Sequence, residues 1–150
     1  MSIAVPPIRD LIFVGLQGVL FVALAFDLDL GWRPLRGLPV IGGVLCAASI
    51  GSGLLAVLQL GTGLTPWPSP RAGASLVTTG AYRYARHPIY AALLAFGVGV
   101  AVLTASPWRL LVTAGLYLLF WRKATYEERL LRERYPGYAA YAARTPRFGW

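Results

Sequence analysis

The sequence predicts an all-α integral membrane bundle of about four transmembrane helices with a cytosolic C-terminal helical extension. Three observations carry this reading. Apolar residues make up 57% of the 150-residue chain and the mean hydropathy is +0.59, too high for an ordinary soluble domain. Charge is absent from long runs, residues 11–26 and 37–70 among them. The 14 basic residues lie between and after the apolar runs, so the net charge of +8 suits anionic lipid headgroups and argues against nucleic acid as a partner. The length leaves room for one domain spanning residues 1–150.

The elements follow in order. Pro6 and Pro7 precede a first span at roughly 8–28, close to the ~20 residues that cross an ~30 Å hydrocarbon core. No basic segment or small-residue cleavage site precedes it, so a permanent span is expected, not a removable signal peptide. Asp27, Asp29, Trp32 and Arg33 mark an interface and a polar turn. A second span at 38–60 ends at Gly61-Thr62-Gly63 and Pro66-Trp67-Pro68. Its small residues recur at four-residue spacing, as Gly43, Ala47, Gly51 and as Ser49, Gly53, which would let another helix approach closely. A third span at 88–105 and a fourth at 107–125 form a tight helical hairpin, with Pro107 suited to the first turn of the fourth. That helix continues into an amphiphilic stretch, Lys123 to Arg134, stopped by Pro136-Gly137. The tail from Tyr138 to Trp150 is aromatic and basic, and is expected to pack back as a lid or to lie on headgroups.

With four spans and both termini cytoplasmic, eleven basic residues fall inside and three, Arg33, Arg36 and Arg109, outside. The same topology puts two polar regions, 66–88 and 122–150, on the cytosolic side. Composition also excludes some chemistry. One cysteine, Cys46, allows no intrachain disulfide and reads as a buried thiol, and one histidine with no cysteine cluster argues against a protein-built metal site.

The candidate chemistry concentrates in Gly80-Ala81-Tyr82-Arg83-Tyr84-Ala85-Arg86-His87-Pro88-Ile89-Tyr90 and in Glu127-Glu128. A polar cluster between lipid-length segments is costly unless it lines a site or lies at a membrane surface. Bland readings stand beside the functional one. Arg83 and Arg86 could be positive-inside anchors, and Trp121 a member of the aromatic belt. Glu127 lies four residues after Lys123, and Glu128 four before Arg132, the spacing of helix-surface ion pairs. Adjacent helical residues point about 100° apart, so the two glutamates are not expected to face one pocket squarely.

The run Arg86-His87-Pro88-Ile89-Tyr90, preceded by Leu76 to Tyr84 and followed by Glu127-Glu128, Leu130-Leu131, Tyr135 to Tyr141 and Thr145-Pro146-Arg147, resembles a family of membrane methyltransferases. That family includes isoprenylcysteine carboxyl methyltransferase and phospholipid N-methyltransferases. The resemblance covers about residues 64 to 150. It implies S-adenosyl-L-methionine as cofactor, bound on the cytosolic side, and a lipophilic or lipidated acceptor entering from the membrane. The candidate cofactor-binding residues are Tyr82, Arg83, Arg86, His87, Pro88, Tyr90, Glu127 and Glu128; the candidate catalytic residues are Glu128, Arg144 and Arg147.

The residue types suit that ligand. A glutamate can accept from ribose hydroxyls or an ammonium, an arginine can clamp a carboxylate, and aromatic rings can stack on adenine. A carboxylate acceptor would need no base, whereas an amine would first have to lose a proton. Among alternatives, membrane sterol reductases using NADPH carry a similar Arg-His-Pro run followed by Asn-Tyr, where this chain has Ile89-Tyr90-Ala91-Ala92. A proton-coupled transporter would need an ionisable residue within a span, and runs 11–26, 37–70 and 88–108 have none. A purely structural membrane protein would leave the polar stretch unexplained. Oligomeric state is left open.

Overall fold

A computed structural model describes residues 7–28, 38–69 and 73–149. Asp29, Trp32, Arg33, Arg36 and Arg71 lie outside the described residues. Five α-helices and no strand occur among those described: α1 (Ile8–Ala25), α2 (Leu38–Leu60), α3 (Pro88–Leu103), α4 (Pro107–Arg134) and α5 (Tyr138–Arg144). Single 3₁₀ turns occupy Gly61–Gly63 and Gly80–Arg83. The first helix ends three residues before the expected Leu28, with Phe26 already extended. The helix expected to open at Pro107 and to continue beyond its span to Arg134 is one unbroken helix of 28 residues.

α1 and α2 are long and apolar enough to cross a membrane, and most of their surface is uncovered by the rest of the chain. Ile12, Leu16, Val19 and Val22 on α1, and Val44, Leu54 and Leu58 on α2, are exposed. A continuous apolar surface of this kind is matched to lipid, since a water-facing patch of that extent is rare. α3 has 16 residues, about 24 Å at 1.5 Å per residue. α4 would run about 42 Å, longer than an ~30 Å core, which leaves its C-terminal turns for the surface.

Contacts order the helices α1–α4–α3–α2, so α3 and α4 occupy the centre. The α2–α3 seam runs through Gly42, Cys46 and Gly53, with Ser49 buried on the same side, a face different from the expected Gly43-Ala47-Gly51 row. A Cβ on Gly42 would stand 2.7 Å from Leu103 Cα and 2.8 Å from the Gly99 carbonyl, whereas nothing lies within 4 Å of one on Gly43 or Gly51. Ser49 and Gly53 do face the seam: Ser49 is buried, and Gly53 meets Ala92. Small residues thus let the two backbones approach closely.

The α3–α4 hairpin has an explicit cap. Ala105 takes a left-handed conformation with φ 50°, Ala105 N–H donates to Val102 O, and Ser106 N–H donates to Ala101 O at 2.9 Å. These are the paired bonds of a Schellman cap, with alanine where glycine is commonest. Ser106 then caps α4, its Oγ accepting from Arg109 N–H at 3.2 Å, and Pro107 fills the first helical position. Arg109 bonds the Leu24 carbonyl at the end of α1 and pairs with Asp27 at 3.2 Å, tying α1 to α4 at this end of the bundle.

Candidate functional site

At the other end, the 3₁₀ turn, the starts of α1 and α3, the extension of α4, and α5 converge. Pro88 opens α3 directly after His87, which fixes the histidine at the mouth of the bundle. The tail docks on the residues just before α3 through two successive backbone bonds, Arg86 N–H to Pro146 O and His87 N–H to Arg147 O, both 2.9 Å. Arg86 then satisfies the carbonyls at the end of α5, donating to Ala142 O at 2.8 Å and Thr145 O at 2.6 Å.

Glu128 is the hub of this docking. Arg86 reaches both of its oxygens, at 3.1 and 3.3 Å, and Arg147 does the same at 2.9 and 3.0 Å. His87 Nε2 adds a third partner at 3.2 Å. Burial alone would raise the Glu128 pKa, but bonds from His87 and Arg147 and the charges of His87 and Arg86 outweigh it and bring it to about 2.

Glu127, about 100° round the same helix, takes the other side of the imidazole: His87 Nδ1 stands 3.3 Å from Glu127 Oε2. The two glutamates therefore face different ways and still share one histidine. Burial alone would lower the His87 pKa, but bonds to Glu127 and Glu128 and their charges raise it above the ordinary value. With a carboxylate at each nitrogen, both nitrogens can donate only in the imidazolium form.

Tyr90 OH also donates to Glu127. The His87, Tyr90 and Phe120 rings stack in sequence, with centroids 5.4 and 4.6 Å apart, and Phe148 from the tail meets His87 edge-on.

Beside this stack is a cavity of about 420 Å³, within the roughly 300–1,000 Å³ of sites that enclose small ligands. Its polar wall includes Gln17, Arg86, His87, Tyr90, Lys123 and Glu127; Leu60, Leu64, Leu76, Val77 and Leu93 are among its apolar residues. Tyr82, Pro88, Tyr135, Tyr138 and Tyr141 also line it. Burial pushes the Tyr141 hydroxyl up to about 12, so it remains a donor, to the Tyr82 carbonyl at 2.6 Å.

The structure thus brings Tyr82, Arg86, His87, Pro88, Tyr90 and Glu127 to one cavity. Glu128 and Arg147 bond to each other behind it, and Arg147 also lies 4.4 Å over the Trp121 ring. Trp121 is therefore partnered within the protein as well as partly exposed. Arg83 is exposed and outside the cavity wall, and Arg144 is exposed along a separate cleft with Trp121 and Phe148. Arg86 clamps the Glu128 carboxylate and the end of α5, so its guanidinium holds the tail in this structure.

Lys123 and its partners were not singled out by the sequence reading. Lys123 is 2% exposed, donates to Gln17 Oε1 at 2.8 Å and to Pro66 O at 3.1 Å, and lies 5.4 Å from the Tyr90 ring centre. The sequence presents it as a cytosolic cation and a helix-surface partner of Glu127, not as a buried residue. The available signal was that it is the chain's single lysine, one helical turn before Glu127. Asp10, fully buried in the first turn of α1, accepts from Ser69 N–H at 3.2 Å and has the same origin as a missed residue.

The chain is 40% identical over 86 residues to the cobalt-zinc-cadmium resistance protein CzcN of Cupriavidus metallidurans, covering 53% of this chain and 38% of that protein. It is 35% identical over 81 residues to the nickel-cobalt-cadmium resistance protein NccN of Alcaligenes xylosoxydans xylosoxydans, with the same coverage of 53% and 38%. The chain therefore spans well under half the length of these curated relatives. The profile of a family described as phospholipid methyltransferase matches residues 38–137. That stretch holds α2, α3, α4 and, except for Gln17 and two tyrosines of α5, the whole cavity wall; the chain belongs to the phospholipid methyltransferase family.

Proposed function

We propose that this chain is an S-adenosylmethionine-dependent methyltransferase of a four-span membrane bundle, acting on a lipid acceptor at the cytosolic face. The observation that carries it is the cavity itself: a carboxylate, an ammonium and stacked aromatic rings at a bundle end whose outer helices are lipid-like in surface. Family membership supports the reaction class. The eleven-to-three basic bias supports both termini on the cytosolic side.

The donor set fits the cofactor. Lys123 spends two of its three N–H groups on Gln17 and Pro66, so its ammonium could also meet a carboxylate. Glu127 would accept from ribose hydroxyls or an ammonium, and the tyrosines of the wall offer ring faces to adenine. When bound, S-adenosylmethionine supplies an electrophilic methyl on a sulfonium. The chain's part is alignment and exclusion of water: Glu128, Arg86 and Arg147 hold the tail closed, and the His87–Tyr90–Phe120 stack fixes the wall. Leu60, Leu64, Leu76 and Leu93 would take an acyl chain.

A prenylated carboxylate could attack as it is. A phospholipid amine would first lose a proton, for which Glu127 is the cavity's carboxylate. The resistance named for the curated relatives is said of those proteins and is not carried over to this chain. The test is transfer of labelled methyl from S-adenosylmethionine into extractable lipid by purified protein in nanodiscs. Wild type should label lipid and Glu127→Gln should do so at least ~10-fold more slowly; unlabelled lipid across amine and carboxylate acceptors would refute the assignment.

A further inference from the structure

A second cleft, of about 740 Å³, lies between the first turns of α1 and the extension of α4 and shares no lining residue with the reaction cavity. Arg9, Arg122, Arg129, Arg132 and Arg147 line it, and Glu128 is its one carboxylate among the described residues. Both Glu128 oxygens already accept from Arg86 and Arg147, so Glu128 cannot also neutralise the rest. Arg129 is held 5.4 Å over the Tyr126 ring, which itself stacks on Phe13 of α1 at 6.0 Å. Converging guanidiniums repel one another, and here the repulsion acts across the contact between α1 and α4. An anion in the cleft would remove it.

The neighbouring surface says what kind of anion. Ile12 and Phe13 form the apolar side of the cleft, and Ile8, Ile12, Leu16 and Val19 continue from it as an exposed strip along α1. Arginine forks match phosphate oxygens bidentately, and basic pockets between helices on the cytosolic side suit lipid phosphates. We propose that this cleft binds the phosphate of an anionic membrane lipid through Arg9, Arg129 and Arg132, with the acyl chains along α1. The lipid is a resident of the fold and not the methyl acceptor, and its binding does not depend on methyl transfer.

Native mass spectrometry of the full chain released from detergent, with phosphatidylglycerol or phosphatidylcholine added, tests this. Wild type should retain phosphatidylglycerol about tenfold better or more, as expected for several arginines near one phosphate. Arg129→Gln/Arg132→Gln should bring the two lipids to near equality. The charge-matched Arg83→Gln/Arg144→Gln, outside the cleft, should keep the preference. A preference absent in wild type, unchanged by the cleft variant, or lost equally in both variants would overturn the proposal. Inorganic phosphate displacing the lipid at equal concentration would also overturn it, because the ligand would then be a free anion.

Discussion

Two adjacent glutamates divide the work at the residue scale. Glu128 is nearly dry and accepts from two guanidiniums and an imidazole, so its removal strands buried cations. Glu128→Ala should cost about 3–5 kcal/mol in unfolding experiments in detergent. Glu127→Gln, which loses only one charge-assisted partner pair facing the cavity, should cost about 1 kcal/mol. Equal losses would mean that the tail is not latched through Glu128. The pH dependence follows from the same pair. Glu128 titrates at about 2 when folded against 4.5 unfolded, so its contribution is present above 4.5 and lost as pH falls toward 2. His87 has the opposite sign: its folded pKa is raised above 6.5, so its contribution is present below 6.5 and lost as pH rises through the folded value. Thermal melting over a pH series should therefore show greatest stability between about 4.5 and 6.5, and His87→Gln should flatten the alkaline limb and also weaken the acid limb, because His87 helps hold the Glu128 pKa down. An unchanged alkaline limb in His87→Gln would assign that limb to another group.

At the scale of the helices, the α2–α3 seam depends on which small residues face inward. Gly42→Leu would drive a side chain into the α3 backbone at Leu103 and should destabilise by about 3 kcal/mol or more. Gly43→Leu, one residue along and open, should change stability by less than about 0.5 kcal/mol. Chemical unfolding of both variants checks this, and equal effects would disprove the register. The sequence made helix positions readable, because uncharged runs, Pro107 and Gly61-Thr62-Gly63 act locally. It did not reveal the seam, since α2 is apolar all round and glycines occur on more than one face. Nor did it reveal that Lys123 turns inward. Its neighbours there, Gln17 and Pro66, come from distant parts of the chain, and only packing brings them together. The His87–Glu127–Glu128 grouping was legible as a motif, whereas the division of labour between the glutamates required the helix's rotation.

Over the whole molecule, the bundle has two ends of different character. One is closed by the Schellman cap and the Arg109–Asp27 pair, and the other holds a cavity under a tail latched to α4. A water-soluble cofactor and a membrane-borne acceptor can meet only at such an end. The central claim is that this cavity holds S-adenosylmethionine or its demethylated product, with Glu127 in direct contact. Isothermal titration calorimetry of the purified protein with S-adenosylhomocysteine measures this most directly. The account predicts saturable binding by wild type, at least ~10-fold weaker binding by Glu127→Gln as a charge-assisted bond is lost, and no heat from NADPH. Wild-type binding of NADPH without any response to S-adenosylhomocysteine, or full affinity in Glu127→Gln, would contradict it.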